Sequence, residues 1–172
     1  TDYYWTPELA YRDRLIIPFY YEKRIVGWTA RTVNPDKKPR YLTEAQPGFV
    51  YGLDEQRPNK VFCILVEGQV DAIHVDGCAI GGSEINEQQA LLLNRLQKQI
   101  IVVPDRDKSG SKLVEQAIDY GYSVSMPDWN QEIVDVGDAV SKYGRLYALH
   151  SIVSASEDSP LKIRLKAKKW FS

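Results

Sequence analysis

Apolar residues are distributed in two styles along this chain, and the change falls near residue 60. Before it, Arg14-Leu15-Ile16-Ile17-Pro18-Phe19-Tyr20-Tyr21, then Ile25 to Val33, then Arg40-Tyr41-Leu42-Thr43 read as strands separated by polar breaks. Pro18 disfavours a central place for the first of them. Glu22-Lys23-Arg24 predicts a short turn, and Asn34-Pro35-Asp36-Lys37-Lys38-Pro39 a polar loop with two prolines. In the second strand Ile25, Gly27, Thr29, Arg31 and Val33 share one face, and Val26, Trp28, Ala30 and Thr32 the other. Arg57-Pro58-Asn59-Lys60 marks a lobe boundary.

From Val61 the apolar runs become unbroken, as in strands covered on both faces. Phe62-Cys63-Ile64-Leu65-Val66 and Ile100-Ile101-Val102-Val103 are such runs, with a shorter one at Cys78-Ala79-Ile80, and Tyr122-Ser123-Val124-Ser125-Met126 reads as another strand. Helical segments fall between them. One runs from Gln69 to about His74. Another follows Asn86, which predicts an N-cap with Gln89 as its reciprocal partner, and ends near Lys98. Gly110 to Tyr120 carries the stripe Leu113, Val114, Ala117, Ile118, with Gly121 as its C-terminal cap. A last helix opens at Asp138 and runs to Tyr147 or beyond. This alternation predicts an α/β fold, α+β overall: a small β-rich N-terminal lobe, then a mainly parallel sheet flanked by helices. The expected divisions are residues 1–60, 61–153, and a basic tail or linker at 154–172. In that tail Lys162, Arg164, Lys166 and Lys168 recur every second residue, which predicts an extended arm with all four on one face.

Composition narrows the classes. The 172 residues carry a formal net charge of −1, which argues against a nucleic-acid-coating protein but leaves room for a local basic groove. No stretch approaches the roughly 18 apolar residues of a membrane span. Cys63 and Cys78 are too few for a zinc ribbon or a secreted disulfide frame, and read as small buried residues of a cytoplasmic protein. The opening, Thr1-Asp2-Tyr3-Tyr4-Trp5, reads as part of something longer.

The chemistry lies in carboxylates placed just past buried strands. Val66 is followed by Glu67-Gly68-Gln69-Val70-Asp71, and Val103 by Pro104-Asp105-Arg106-Asp107. The C-terminal ends of parallel strands form the ligand-binding rim of open sheets. Glu67, Asp105 and Asp107 are therefore expected to crowd at one edge, where carboxylates repel unless a cation sits between them. Mg²⁺ or Mn²⁺ is the natural candidate, and such a site normally handles phosphates. Gly68 permits the tight turn from strand into helix. Asp71 is either a supporting acid or a first-turn residue that suits the helix dipole. Asp135 and Asp138 extend the acid set, or Asp138 caps a helix. Lys108 is a candidate phosphate contact or a solvated loop lysine. His74 and His150 have no partners at metal-ligand spacing, and there is neither a nucleophile elbow nor a phosphate-binding glycine loop ending in Lys-Ser or Lys-Thr.

The segments Glu67-Gly68-Gln69-Val70-Asp71 and Asp105-Arg106-Asp107 resemble a Toprim domain. The flanking motifs narrow this to the RNA polymerase core of bacterial and phage DnaG-type primases. They are Asp13 to Phe19, Gly27 to Arg31, Lys38 to Thr43, Tyr51-Gly52-Leu53, Ile80-Gly81-Gly82-Ser83 before Asn86 to Ala90, and Val134 to Val140. The resemblance covers roughly Asp13 to Val140. It implies template-directed synthesis of short RNA primers on single-stranded DNA by two-metal nucleotidyl transfer. Glu67, Asp105 and Asp107 would be the catalytic and metal-binding carboxylates, with Asp135 and Asp138 as further ligands. Arg14, Arg31, Arg40, Tyr41 and Lys108 would contact nucleotide or template. Tyr41 or Trp28 would stack a base, although a core place suits Trp28 as well. Implied partners are ribonucleoside triphosphates, the DNA template and a replicative helicase or helicase domain. A zinc-binding module expected before such a core and a helicase-linked region after it are not in this sequence, which fits a fragment or a minimal phage-type protein. Two other readings stay open: a Toprim nuclease using the same acids, and a non-catalytic single-stranded DNA-binding module.

Overall fold

In the computed structural model, which describes residues 2–172, the chain divides into two compact units, 1–49 and 50–172. The first is a three-stranded antiparallel sheet in the order β1 (Arg14–Tyr21), β2 (Arg24–Thr32), β3 (Tyr41–Ala45). Glu22 and Lys23 both have positive φ, 49° and 62°, so the β1–β2 connection is a two-residue turn twisted to match its strands. Pro18 sits on β1, an outer strand, where its missing N–H interrupts no ladder between two neighbours. Ile17, Phe19 and Ala30 are buried, and Phe19 stacks on Phe49 with ring centroids 5.4 Å apart.

The second unit is built on a five-stranded sheet in the order β5-β4-β6-β7-β8. Its strands are β4 (Phe62–Val66), β5 (Cys78–Ala79), β6 (Gln99–Val102), β7 (Ser123–Ser125) and β8 (Ser156–Glu157). All pairings are parallel except that of β8 with β7. The connecting helices are α1 (Gln69–Val75), α2 (Glu87–Arg95), α3 (Lys108–Asp119), α4 (Val136–Tyr143), α5 (Arg145–Ala155) and α6 (Pro160–Trp170). Leu65, Val66, Ile101 and Val102 are at most 1% exposed, as unbroken apolar strands require. Asn86 and Gln89 form the expected reciprocal cap on α2, at 2.9 and 3.1 Å. Cys63 and Cys78 are free thiols in the core. The expected fold class therefore holds, with an antiparallel sheet in one unit and a mainly parallel sheet flanked by helices in the other. No helix among the described residues is long and apolar enough to cross a membrane.

Three details differ from the sequence reading. The compact units meet at Phe49 and Val50, not near Lys60, because Tyr51 exchanges backbone hydrogen bonds with Ala79 at 2.8 and 3.1 Å. That bridge ties residues 50–53 to the parallel sheet. Next, the helix expected to run on from Asp138 is two helices, broken at Gly144 where φ is 83°. Finally, the tail is neither an extended arm nor a linker. Pro160 opens α6 at its first helical position, and Ile163 and Trp170 are buried at 1% and 6% exposure. Ile163, Ala167 and Trp170 recur at i, i+4, i+7, a helical seam that outweighs the two-residue spacing of the basic residues. Those basic residues do not share one face as a strand would place them. Arg164 pairs with Glu115 at 2.8 Å, and Lys162 and Lys166 both approach Glu157.

Candidate functional site

The acids are set by where β4 and β6 stop and the next helices start. Glu67 follows the last residue of β4, and Gly68 turns the chain into α1 as its N-cap. Asp105 lies beyond the end of β6, and Asp107 is the N-cap of α3. Glu67 binds across this gap: its Oε1 accepts from the Asp105 N–H at 3.3 Å, and its Oε2 lies 3.5 Å from the Ser109 hydroxyl oxygen. Asp107 Oδ1 accepts from the Ser109 and Gly110 N–H groups at 2.8 and 2.9 Å, and from the Ser109 hydroxyl at 2.6 Å. Gly110 is required there, because a Cβ at that position would collide with the Asp105 carbonyl oxygen.

A second pair of loops supplies the remaining acids. Asp135 caps α4, its Oδ1 accepting from the Asp138 N–H at 2.7 Å, and Asp138 returns the bond by accepting from the Val134 N–H at 3.2 Å. Asp138 thus serves the helix end. Asp71 Oδ1 accepts from the Gly137 N–H at 2.8 Å and so ties α1 to the start of α4. A Cβ on residue 137 would lie 2.9 Å from Asp71 Oδ1 and 3.3 Å from Asp135 Oδ1, so glycine permits this approach.

Asp105 registers the combined charge. Its carboxyl is pushed up to about 8, first by burial and then by Glu67, Asp71, Asp135 and Asp107. Glu67 is also raised, mainly by burial, against the pull of the Asp105 N–H. Asp107 is lowered, chiefly by the Ser109 hydroxyl. Among the described residues, no lysine or arginine forms an ion pair with Glu67, Asp105, Asp107 or Asp135. The all-oxygen donors and the uncompensated negative charge suit a hard divalent cation. The side chains as placed are not a finished cage, however. Among the described residues, no group of three His, Cys, Asp or Glu comes together closely enough to hold an ion. The three carboxylates expected to converge are neighbours, but Asp107 is turned to its helix cap.

The basic candidates divide. Arg14, read as a nucleotide or template contact, is 5% exposed. Its guanidinium donates to the Ala30, Pro39 and Arg40 carbonyls at 3.1, 2.8 and 3.4 Å, so it holds the start of β3 in place and is spent on structure. Arg31 and Tyr41 are register partners on β2 and β3, with the guanidinium 5.7 Å from the ring centre, and Arg40 beside them is exposed. Lys108 is exposed at the first turn of α3. Trp28 packs edge-on to Tyr11 at 5.0 Å and is half-buried, so it is not in the core. Sequence reasoning missed Ser109, whose hydroxyl donates to Asp107 beside Glu67. The signal was present: a serine two residues past an aspartate at a helix start is a common cap pattern.

Residues 64–139 match the Toprim-like family, so the larger unit carries a Toprim-like domain. The surrounding chain is similar to DNA primases. It is 26% identical over 171 residues to DNA primase of Aquifex aeolicus, covering 86% of this chain and 34% of that protein. It is 30% identical over 157 residues to DNA primase of Halalkalibacterium halodurans, covering 78% and 25%. This chain spans about a third of these curated relatives or less. The crystal structure of the Aquifex aeolicus primase zinc-binding and RNA polymerase domains superposes with a TM-score of 0.68 at 20% identity, covering 96% of this chain and 49% of that one. A DnaG primase catalytic domain bound to single-stranded DNA gives a TM-score of 0.68 at 22% identity over 91% and 55%. The resemblance to a Toprim-containing DnaG-type primase core therefore stands, and the fold is shared.

Proposed function

We propose that this chain is the catalytic core of a DNA primase, which joins ribonucleoside triphosphates into short RNA primers on a single-stranded DNA template. The observation that carries the reading is the acid cluster around Asp105, built at the ends of β4 and β6 inside a Toprim-like domain whose relatives are primases. Glu67, Asp105 and Asp107, supported by Asp135, would hold Mg²⁺ or Mn²⁺, which supplies activation of a 3′-hydroxyl and neutralises the leaving pyrophosphate. The protein's own share is placement. Glu67 is tied to the Asp105 backbone, and Asp107 to the start of α3, so neither acid has to be ordered when substrate arrives. Arg31, Arg40 and Lys108 would hold triphosphate and template backbone, and Tyr41 would stack a base. A helicase or helicase domain is the expected companion of such a core in a cytoplasmic replication apparatus.

The test is incubation with single-stranded DNA, four ribonucleotides and Mn²⁺ or Mg²⁺. Short RNA supports the proposal and should vanish in Asp105→Asn. Shortened DNA would replace it with a Toprim nuclease, and neither product would leave a binding module.

A further inference from the structure

Arg106 stands between two of the candidate metal ligands, yet its side chain is engaged elsewhere. Its guanidinium lies 3.9 Å from the centre of the Trp170 ring and donates to the Asn130 carbonyl at 3.0 Å. It forms one wall of a cavity of about 700 Å³, with Trp129, Lys166, Lys169, Trp170 and Asp128 among the lining residues. That volume is within the usual range for a small-ligand site, about 300–1,000 Å³.

Two features of this wall ask for an anion. The first is charge: three cations line the cavity against one side-chain carboxylate, Asp128, which is 94% exposed. Lys169 is held by one exposed ion pair, and Lys166 by a long ion pair and by the Ala155 carbonyl, to which its Nζ donates at 3.2 Å. Lys169 is 3.3 Å from Asp128, and Lys166 is 3.8 Å from Glu157. Exposed pairs of this kind contribute little and are readily exchanged. The second is a shortage of acceptors. Trp170 is 6% exposed and its indole N–H has no hydrogen-bond partner, and neither has Arg106 Nε, also withdrawn from water. Both atoms are closed to a water-sized oxygen as the side chains stand, so a ligand oxygen would relieve this standing cost only where the Arg106–Trp170 stack shifts to admit it. The indole of Trp129 is already satisfied by the Ser151 hydroxyl at 2.8 Å. Both rings are buried, so the wall offers donors and positive charge more than a stacking surface.

We propose that this cavity, formed by the β6–α3 loop, the segment after β7 and the end of α6, binds a phosphate group. The phosphate sits against Arg106 and Trp170, with Lys166 and Lys169 at the mouth. Phosphate suits it better than a carboxylate because it carries more charge and more acceptor oxygens for a convergent set of donors. The phosphate can come from a free nucleotide or from the backbone of a single strand. In either case Arg106 links its occupancy to the loop that carries Asp105 and Asp107.

The test follows the tryptophan indole N–H signals of the ¹⁵N-labelled 172-residue chain, in EDTA so that no metal at the acid cluster captures phosphate. The Trp170 signal is the one missing from Trp170→Phe. Pyrophosphate should move it saturably, and Lys166→Glu and Lys169→Glu should each weaken binding roughly ten-fold, as loss of a charge-assisted contact does. Lys168→Glu, which makes the same charge change on an exposed position of α6 outside the cavity, should leave it nearly unchanged. At equal phosphate concentration, a stronger response to ATP would identify a nucleotide, and a stronger response to a short oligodeoxythymidylate a strand backbone. The proposal is overturned if none of the three moves the Trp170 signal, or if Lys168→Glu weakens binding as much as Lys169→Glu.

Discussion

Replacing Asp105 with asparagine should make the metal-free protein more stable, although the residue is a candidate catalyst. The substitution keeps the side-chain size and leaves both backbone bonds intact: the N–H to Glu67 and the carbonyl accepting from Asp107. What it removes is a charge that the folded chain resists. The carboxyl titrates at about 8 in the folded state and at 3.8 as an ordinary aspartate. Between those values the native state binds the extra proton, so the wild-type protein loses stability as pH rises through this window. At pH 7 the ceiling on that loss is about 4 kcal/mol, at about 1.4 kcal/mol for each pH unit above 3.8. Part of the carboxyl remains in reach of water, which screens the repulsion and reduces the expected gain to roughly 1–2 kcal/mol. For a chain of this size that raises Tm by roughly 3–6 °C.

The assay is thermal unfolding of both proteins in EDTA across pH 4 to 9. The difference in Tm should be near zero at pH 4, grow through neutrality and level off above pH 8. Adding Mn²⁺ should reverse the order, because a cation that binds the native acids stabilises the wild type by mass action and the asparagine variant less. A difference that does not vary with pH, or a variant less stable than wild type at pH 8 in EDTA, would refute the account of Asp105.

Further outcomes follow from single residues. Gly110→Ala should cost roughly 2 kcal/mol or more in chemical denaturation, because the new Cβ meets the Asp105 carbonyl oxygen and the loop must shift. Ser109→Ala should move Asp107 back towards the ordinary aspartate range in a carboxyl titration by NMR. The stability it removes is that of a lowered carboxyl, so the loss should show at pH 7 and disappear as pH falls below the Asp107 titration. Ile163→Ala, in a helix that the sequence pattern presented as an extended basic tail, should cost about 2–4 kcal/mol, as cavity-forming core substitutions do. A change below 0.5 kcal/mol would return residues 160–172 to the status of an appendage.

The parts of the fold legible in the sequence were those whose signal is local. Phe62 to Val66 and Ile100 to Val103 are continuous apolar runs, and Asn86 with Gln89 is a complete cap signature, so strands, helix start and sheet type could be read directly. The misread charged residues share one origin: each was assigned by type when its partner lay far away in sequence. Arg14 reads as a free cation until the carbonyls of residues 30, 39 and 40 are seen around it. The basic residues of α6 read as one face of an extended arm until Glu115 and Glu157 are placed beside that helix. Gly144, by contrast, was a local signal that the apolar pattern around it concealed.

The acids themselves were readable by position but not by task. Capping and metal binding were weighed as alternatives at Asp71 and Asp138, yet at Asp107 and Asp135 one side chain caps a helix and keeps an oxygen to spare. At Asp107 all the hydrogen bonds from the start of α3 fall on Oδ1, and the cap of α4 likewise uses Asp135 Oδ1, which leaves each Oδ2 outside the cap. Asp107 can separate the two tasks. Asparagine keeps an oxygen where Oδ1 stands and ranks with aspartate as an N-cap, so Asp107→Asn should hold stability to within a few tenths of a kcal/mol. Alanine removes the cap and should cost about 1 kcal/mol. If Asp107 acts only as a cap, activity should follow stability, with Asn close to wild type and Ala reduced. If it also holds a divalent ion, both variants should lose primer synthesis while only Ala loses stability. Normal activity in the asparagine variant would remove Asp107 from the metal site and leave Glu67 and Asp105 to carry it.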